Sequence, residues 1–398
     1  MKVTSPILFI KFSIKEILIF VGKENDSGSF SLLEMIILPI KNFYDNRNLD
    51  YLKISDSIKK NIFYIEKKLS CRFRESIIIL DSFDITYLNL SGFKKLNGTQ
   101  ILKENITYLL NSIKAIIDKT ENKKNILHIF NSKYFLDKKE IKNLPIGLFG
   151  DFYSQELSLS LIHENDYKNL KNIFDNCNLK IRKILLENFV KVSTIKNNYA
   201  SINTFLYIEI DNNNSKIFYV ENDALKYEQR FNFGLEIILK DISKITSLKV
   251  DMIKKFIVQN PILDMISEAD LVEKNYFHNQ EYRKIKKKLI FEIAEARIKE
   301  LSEIICFNNI NFKKIISNKK IVFLELSNEQ HLKCFEKIYK SSFNPSGKYE
   351  VKIVKKPDIL EVLESSNNIV QYGWKSEAIP FLNSRKSLIS RILGSLFH

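Results

Sequence analysis

Apolar residues along this chain recur at two periods, and the switch between them lays out the elements. Short apolar runs at 7–12, 17–21 and 32–38 read as three strands of a meander. Over 55–69 the period lengthens, with Ile58, Ile62, Phe63, Ile65 and Leu69 at helical spacing. The run 77–80 (Ile-Ile-Ile-Leu) then reads as a strand covered on both faces. The second half opens in the same way. Segments 202–210 and 216–220 read as strands around the polar turn Asp211-Asn212-Asn213-Asn214, a third strand covers 225–233, and a helix starts at Leu235 and ends near Ile245. Two halves that begin with a meander and continue with alternating helix and strand predict an internal duplication in an α/β fold. The repetition lies in pattern, not in residue identity.

A stretch of different character separates the halves. Strands are predicted at 85–90 and 125–130, with a helix between them at 101–117. Leu157, Leu159 and Leu161 then alternate with Glu156, Ser158 and Ser160, the pattern of a half-exposed strand. This region, 82–164, is read as an inserted α+β subdomain. Later, a long helix is predicted over 280–305 and a buried strand over 321–326.

The last stretch, 384–398, has the sharpest pattern. At about 100° per residue, Leu388, Ile389, Ile392, Leu393, Leu396 and Phe397 gather on one half of a helical wheel. Ser387, Ser390, Arg391, Gly394 and Ser395 fill the other half. Arg385 and Lys386 stand at the start, where long stems snorkel toward lipid phosphates. Such a helix is roughly 22 Å long, too short for a hydrocarbon core of roughly 30 Å. It is expected to lie on a membrane surface with its apolar face sunk in. The preceding 373–383 is weakly periodic, contains Pro380 and reads as a linker. The competing reading is a helix packed on its own domain.

Composition narrows the classes. A length of 398 residues suggests two or more domains, and 45% apolar residues suffice for ordinary cores. The formal charge is +15, from 62 basic and 47 acidic residues. That balance suits anionic partners, but the cations are spread along the chain and only 283–288 forms a dense run. The run reads as the solvated face of a helix, and nucleic acid is not an expected partner. Cys71, Cys177, Cys306 and Cys334 lie far apart without metal spacing, as free or buried thiols do in a reducing compartment. Lys11, Lys15 and Glu16 interrupt the apolar N-terminal run, so no signal peptide is read, and no stretch is long enough to span a bilayer. The expected setting is cytoplasmic with one reversible membrane contact.

Several segments carry more specific information. Ile126-Leu127-His128-Ile129-Phe130-Asn131-Ser132-Lys133-Tyr134-Phe135-Leu136-Asp137 is followed by Ile141-Lys142-Asn143-Leu144-Pro145-Ile146-Gly147-Leu148-Phe149-Gly150 and by the strand ending in His163. Leu185-Leu186-Glu187 comes next, then Ile293-Ala294-Glu295-Ala296-Arg297-Ile298-Lys299-Glu300-Leu301. In this order they resemble the FtsA family of bacterial cell-division proteins, actin-like proteins with an inserted subdomain. The first resembles the family's leucine-histidine-x-isoleucine-proline-glutamine-x-tyrosine stretch and its following aspartate. The second resembles an asparagine-proline-x-glycine-methionine-x-glycine turn. The others resemble a leucine-glutamate-proline element and a long helix carrying alanine-arginine-x-x-glutamate. A terminal amphipathic helix is itself a family feature.

The resemblance implies an α/β fold of duplicated actin-like (ribonuclease-H-like) domains with an inserted α+β subdomain of SHS2 type and a C-terminal amphipathic helix. The implied layout is 1–81 with 165–200 for the first actin-like domain, 82–164 for the insertion, and 201–372 for the second domain, whose 235–309 forms a smaller part. A linker at 373–383 and the membrane helix at 384–398 complete it. It implies an adaptor tethering filaments of the tubulin-like protein FtsZ to the cytoplasmic face of the cell inner membrane at the division septum. FtsZ would bind at 235–309. Downstream division proteins and further copies of the chain would bind the insertion, and anionic lipids the tail.

The resemblance also exposes departures. Actin-like proteins bind ATP at glycine-rich β-turns, where backbone N–H groups approach the phosphates and aspartates place hydrated magnesium. Here the first turn falls at Lys11-Phe12-Ser13-Ile14-Lys15, where the family expects an aspartate near Lys11 and a glycine near Ser13. The second falls at 209–216, where Glu209 keeps an acid and Ser215 a hydroxyl, but the family's three glycines are gone, the turn reading Asp211-Asn212-Asn213-Asn214, and Lys216 replaces an acid. Asn and Asp tolerate positive φ, so the turn is expected to persist with side chains in the phosphate space. A third, glycine-containing element falls at Leu324-Glu325-Leu326-Ser327 without glycine, and Gly234 survives without its partner glycine. Lys11 and Lys216 are expected either to meet phosphate directly or to pair with Glu209 or Asp211. The degenerate counterparts Lys11, Ser13, Glu209, Asp211, Asn213, Ser215 and Gly234 make tight binding of magnesium and ATP an unexpected outcome, and catalysis more so. No metal spacing joins His128, His163, His278, His331 and His398, and no nucleophile elbow or Walker-type loop occurs. No enzyme is expected. The alternatives are a PilM-like pilus-assembly adaptor of the same fold, which lacks a lipid helix, and a nucleotide-binding actin-like filament ATPase.

Overall fold

The computed structural model of the chain describes residues 5–25, 29–45, 48–81, 83–121, 123–260, 266–277, 280–313, 320–327, 329–345 and 347–378. The expected tail helix, with Arg385, Lys386, Leu388, Ile389, Arg391, Ile392, Leu393, Leu396 and Phe397, lies outside the described residues. The chain forms two compact units. The first takes the described residues of Met1–Asn197, Asn222–Lys226 and Ile359–His398, and the second takes those of Asn198–Glu221 and Tyr227–Asp358.

The first unit opens with β1 (Ile7–Phe12), β2 (Glu16–Glu24) and β3 (Phe30–Pro39), then the short β4 (Tyr44–Asp45) and β5 (Asn48–Leu49). Helix α1 (Tyr51–Leu69) follows, and then β6 (Glu75–Leu80). The helix begins at Asp50, whose side chain accepts from the Lys53 N–H at 3.0 Å, satisfying one orphan donor of the first turn. Its buried stripe is Ile54, Ile58, Ile62 and Ile65. Phe63, an apolar position in the expected helix, falls off that stripe and is 69% exposed.

The insertion comprises β7 (Ile85–Lys95), α2 (Lys103–Thr120), β8 (Lys124–Leu136), β9 (Lys139–Ile141) and β10 (Phe152–His163). Its sheet runs β7-β10-β8-β9, with Leu109, Ile113 and Ile117 of α2 packed on Ile129, Leu157, Leu159 and Leu161. The expected half-exposed character of β10 is wrong: Ser158 and Ser160 are as buried as the leucines. Ser158 tolerates this because its hydroxyl donates to the Leu225 carbonyl at 2.6 Å. Helix α3 (Glu164–Asn176), strand β11 (Lys180–Leu186) and helix α4 (Glu187–Asn198) complete this part of the unit.

The second unit follows with β12 (Phe205–Ile210), β13 (Ser215–Glu221), β14 (Ala224–Phe231), α5 (Leu235–Thr246), α6 (Val250–Gln259), α7 (Lys287–Ser302), α8 (Ile310–Lys313), β15 (Lys320–Leu326), α9 (Glu329–Ser342) and β16 (Tyr349–Val354). Helix α10 (Ile359–Tyr372) returns to the first unit. The expected helix over 280–305 begins only at Lys287. Residues 283–286 precede it, with Ile285 buried and Lys286 bridged to Leu271, so the basic run is mostly the approach to the helix.

The duplication is plain in the sheets. One is ordered β11-β6-β1-β2-β3 and the other β14-β13-β12-β15-β16. In the first, β1 pairs antiparallel with β2 and parallel with β6, which runs parallel to β11. In the second, β12 pairs antiparallel with β13 and parallel with β15, which runs parallel to β16. Strands β1, β6 and β12 are buried on both faces, which is why they read as continuous apolar runs.

Candidate functional site

In the first unit, β1 delivers Lys11 toward the start of α4. Lys11 Nζ lies 2.8 Å from Glu187 Oε1, and both side chains are largely withdrawn from solvent. The following turn is closed locally. The Ser13 N–H and hydroxyl both donate to the Glu16 carbonyl, at 3.0 and 2.9 Å, and the Glu16 N–H donates back to Ser13 Oγ at 3.2 Å. The Ser13 and Glu16 N–H groups are thus taken up within the turn rather than left to meet a ligand.

In the second unit, Glu209 and Lys216 stand directly opposite each other on β12 and β13, with Lys216 Nζ 3.6 Å from Glu209 Oε2. The pairing with Glu209 is one of the two outcomes anticipated for Lys216. Lys11 instead found Glu187, a residue outside the expected site set. The 211–214 turn persists, closed by the Asp211 N–H donating to the Asn214 carbonyl at 2.8 Å. None of these four residues takes a positive φ, so the tolerance of Asn and Asp for that region is not what sustains the turn. Asp211 and Asn213 are exposed. Ser215 is buried and its hydroxyl donates to the Phe233 carbonyl at 2.7 Å.

Gly234 explains how this turn meets α5. A Cβ there would lie 2.0 Å from the Asp211 carbonyl oxygen, so only glycine permits the approach. The first two N–H groups of α5 use it: Leu235 donates to the Asp211 carbonyl and Glu236 to the Asn212 carbonyl, each at 2.9 Å. Helix N-termini attract anions through such orphan donors, and here the protein's own carbonyls already take two of them. The third element places Glu325 in the core, accepting from the Tyr207 hydroxyl at 2.6 Å.

The residues present do not fit a magnesium–nucleotide group in either unit. In the first unit an ammonium stands where an acid would orient the metal. In the second, carbonyls and a lysine stand where amides and an acid would meet phosphate. Among the described residues no cluster of three His, Cys, Asp or Glu side chains has metal-binding geometry. Burial raises the thiols of Cys177 to about 11 and Cys334 to about 12, which keeps them protonated and unreactive near neutrality.

Sequence reasoning missed a buried clasp. Glu377 accepts from Lys183 Nζ at 2.6 Å and lies 2.8 Å from His128 Nδ1. Beside it, the Asn131 N–H donates to the Ser376 carbonyl at 2.6 Å and the Ala378 N–H to the Ile129 carbonyl at 2.8 Å. Residues 376–378 therefore add to the edge of β8, and Trp374 packs edge-on against Phe189. The described part of the expected linker is thus docked. The only signal in the sequence was an isolated Trp in a weakly periodic stretch. His163 accepts from the Asn165 N–H at 3.3 Å at the start of α3.

The duplicated sheets and the paired loop positions define the class: the chain has the actin-like ATPase fold. The solved PilM–PilN type IV pilus biogenesis complex has a chain that superposes with a TM-score of 0.53, over 92% of this chain and 98% of that one, at 7% identity, a likeness of fold alone. In sequence the chain is similar to the cell division protein FtsA of Buchnera aphidicola subsp. Baizongia pistaciae (strain Bp), at 22% identity over 297 residues. That match takes in 73% of this chain and 64% of the relative, so the chain spans just under two-thirds of that protein's length. No protein-family model matches the chain. Among the described residues no helix is long and apolar enough to cross a membrane.

Proposed function

We propose that this chain is a cell-division adaptor of FtsA type, a scaffold that ties FtsZ filaments to the inner face of the cytoplasmic membrane and recruits later division proteins. The observation that carries the scaffold reading is that the phosphate-loop positions of each unit are engaged by the protein's own groups: Lys11 with Glu187, and Asp211 and Asn212 with the start of α5. The similarity to FtsA supplies the setting. The chain is proposed to be no working ATPase, because Lys11 stands where the first loop would carry an acid, and in the second loop Lys216 replaces one acid and pairs with the acid that remains, Glu209. Membrane contact falls to the amphipathic pattern of 384–398.

Isothermal calorimetry with ATP, with and without magnesium, tests the scaffold reading. No magnesium-dependent heat up to millimolar ATP is expected. Saturable magnesium-dependent binding would return a nucleotide-controlled filament ATPase to the lead.

A further inference from the structure

The first sheet has a second concave site at the end opposite its degenerate loop. Strands β1, β6 and β11 run parallel, so their starting residues share one edge of the sheet. An open groove of about 480 Å³ lies there, lined by Pro6 and Ile7 of the chain entering β1, by Arg72, Arg74 and Ser76, and by Lys180 and Arg182. This volume falls within the range of small-ligand sites. Four cations line it against a single carboxylate, Glu75, which is half exposed and lies 3.3 Å from Arg182.

Three features make it a built site rather than a chance gathering of surface charge. First, the loop carrying Arg72 and Arg74 is pinned. The Phe73 N–H donates to Glu66 Oε1 at 2.7 Å, the Cys71 N–H donates to the Glu66 carbonyl at 3.1 Å, and the Lys180 N–H donates to the Arg74 carbonyl at 2.9 Å. Arg72, Arg74 and Lys180 make no ion pair among the described residues. Second, β11 carries an irregularity in register between Ile181 and Lys183, with Arg182 as the extra residue, and bulges re-aim side chains at sheet edges. Third, Ser76 lines the groove at 1% exposure, and its hydroxyl has no hydrogen-bond partner among the described residues. Such a buried hydroxyl leaves room for a partner from outside the chain, a water or a ligand atom.

We propose that this groove binds a phosphate-bearing anion, with Arg72 and Arg74 as planar forks for its oxygens and the Ser76 hydroxyl as a further donor. Guanidinium groups suit phosphate because two parallel N–H donors match two oxygens. The site binds and does not react. Its cysteine, Cys71, is raised by burial and by the Glu66 charge and stays a thiol. The same phosphate chemistry is presented by a phospholipid headgroup and by a soluble phosphate ester.

Calorimetry on the full chain without magnesium tests this, using inorganic pyrophosphate and, separately, water-soluble dihexanoyl phosphatidylglycerol below its aggregation concentration. Saturable binding is expected for at least one probe, weakened about tenfold in R72Q/R74Q and left within about twofold in K254Q/K255Q, a control pair of exposed lysines. The tighter probe identifies the source as lipid or soluble. K180Q is the second variant should the arginine pair lower the melting temperature, and it is expected to weaken binding in the same direction. Equal weakening by the groove and control variants, or no saturable binding of either probe, overturns the site. Because the readout needs no magnesium and is the loss of binding in groove variants that leave residues 384–398 unchanged, its failure is separable from failure of the adaptor reading.

Discussion

Lys11 forms a largely buried charge pair at the first loop. An ammonium at this place in β1 has a carboxylate within 2.8 Å, and both are nearly withdrawn from water. Removing one partner of such a pair strands the other charge, which costs about 3 kcal/mol, while removing both is close to neutral. Lys11→Met is therefore expected to lower stability by about 3 kcal/mol, and Lys11→Met/Glu187→Gln to recover most of it, as read from urea unfolding midpoints. If the double variant were no more stable than the single, the pair would not be the reason. Gly234 is the second decisive residue. Its added Cβ would meet a backbone oxygen at 2.0 Å, and backbone yields less readily than a side chain. Gly234→Ala should cost about 2 kcal/mol by thermal unfolding; a neutral substitution would mean that the turn and α5 are not held together as described.

At the scale of elements, the segment 376–378 is held to β8 by a few polar contacts around one carboxylate. Burial works against ionising Glu377, but the hydrogen bond and charge of His128, then those of Lys183, outweigh it and hold the carboxyl below its usual range. A folded value below the unfolded one means that the contribution to stability is complete above the usual carboxylate range. It is lost as pH falls through the lowered folded value. The clasp should thus hold at neutral pH and open only on acidification below the usual carboxylate range. Protection factors for the Asn131 and Ala378 amides, measured by hydrogen exchange across that range, should fall on acidification in the native chain. In Glu377→Gln they should be low throughout; acid opening that survives this change would place the titrating group elsewhere.

For the whole molecule, the proposed adaptor role assigns the scaffold to the duplicated sheets and the membrane contact to the amphipathic pattern of 384–398. A single amphipathic helix of this size binds weakly, and assembly of copies in a row multiplies the contact through effective concentration. Sedimentation with anionic vesicles at about 0.5 M salt, which screens surface cations, should carry down the full chain. It should leave Leu393→Glu and the chain ending at Asn383 in solution. Sedimentation of the shortened chain under those conditions would show that the anchor lies elsewhere.

Much of the fold was legible because burial on both faces leaves continuous apolar runs, as in β1, β6 and β12. The polar turn at 211–214 and the inserted α+β stretch could likewise be read from residue types, whereas the departures at Ser13, 211–214 and Glu325 stood out only against the family resemblance. Sequence patterns failed where a polar residue was buried with its needs met from afar. Ser158 finds the Leu225 carbonyl, so β10 looked half exposed and is not. The partner of Lys11 lies 176 residues away, and those of Glu377 lie 249 and 194 away. Periodicity reports which side of an element meets a core, since that depends on the chain's own spacing. Which charge closes which loop, and whether carbonyls or a ligand take the N–H groups of α5, depends on positions brought together only when the sheets form. Those pairings were decided by the tertiary structure alone.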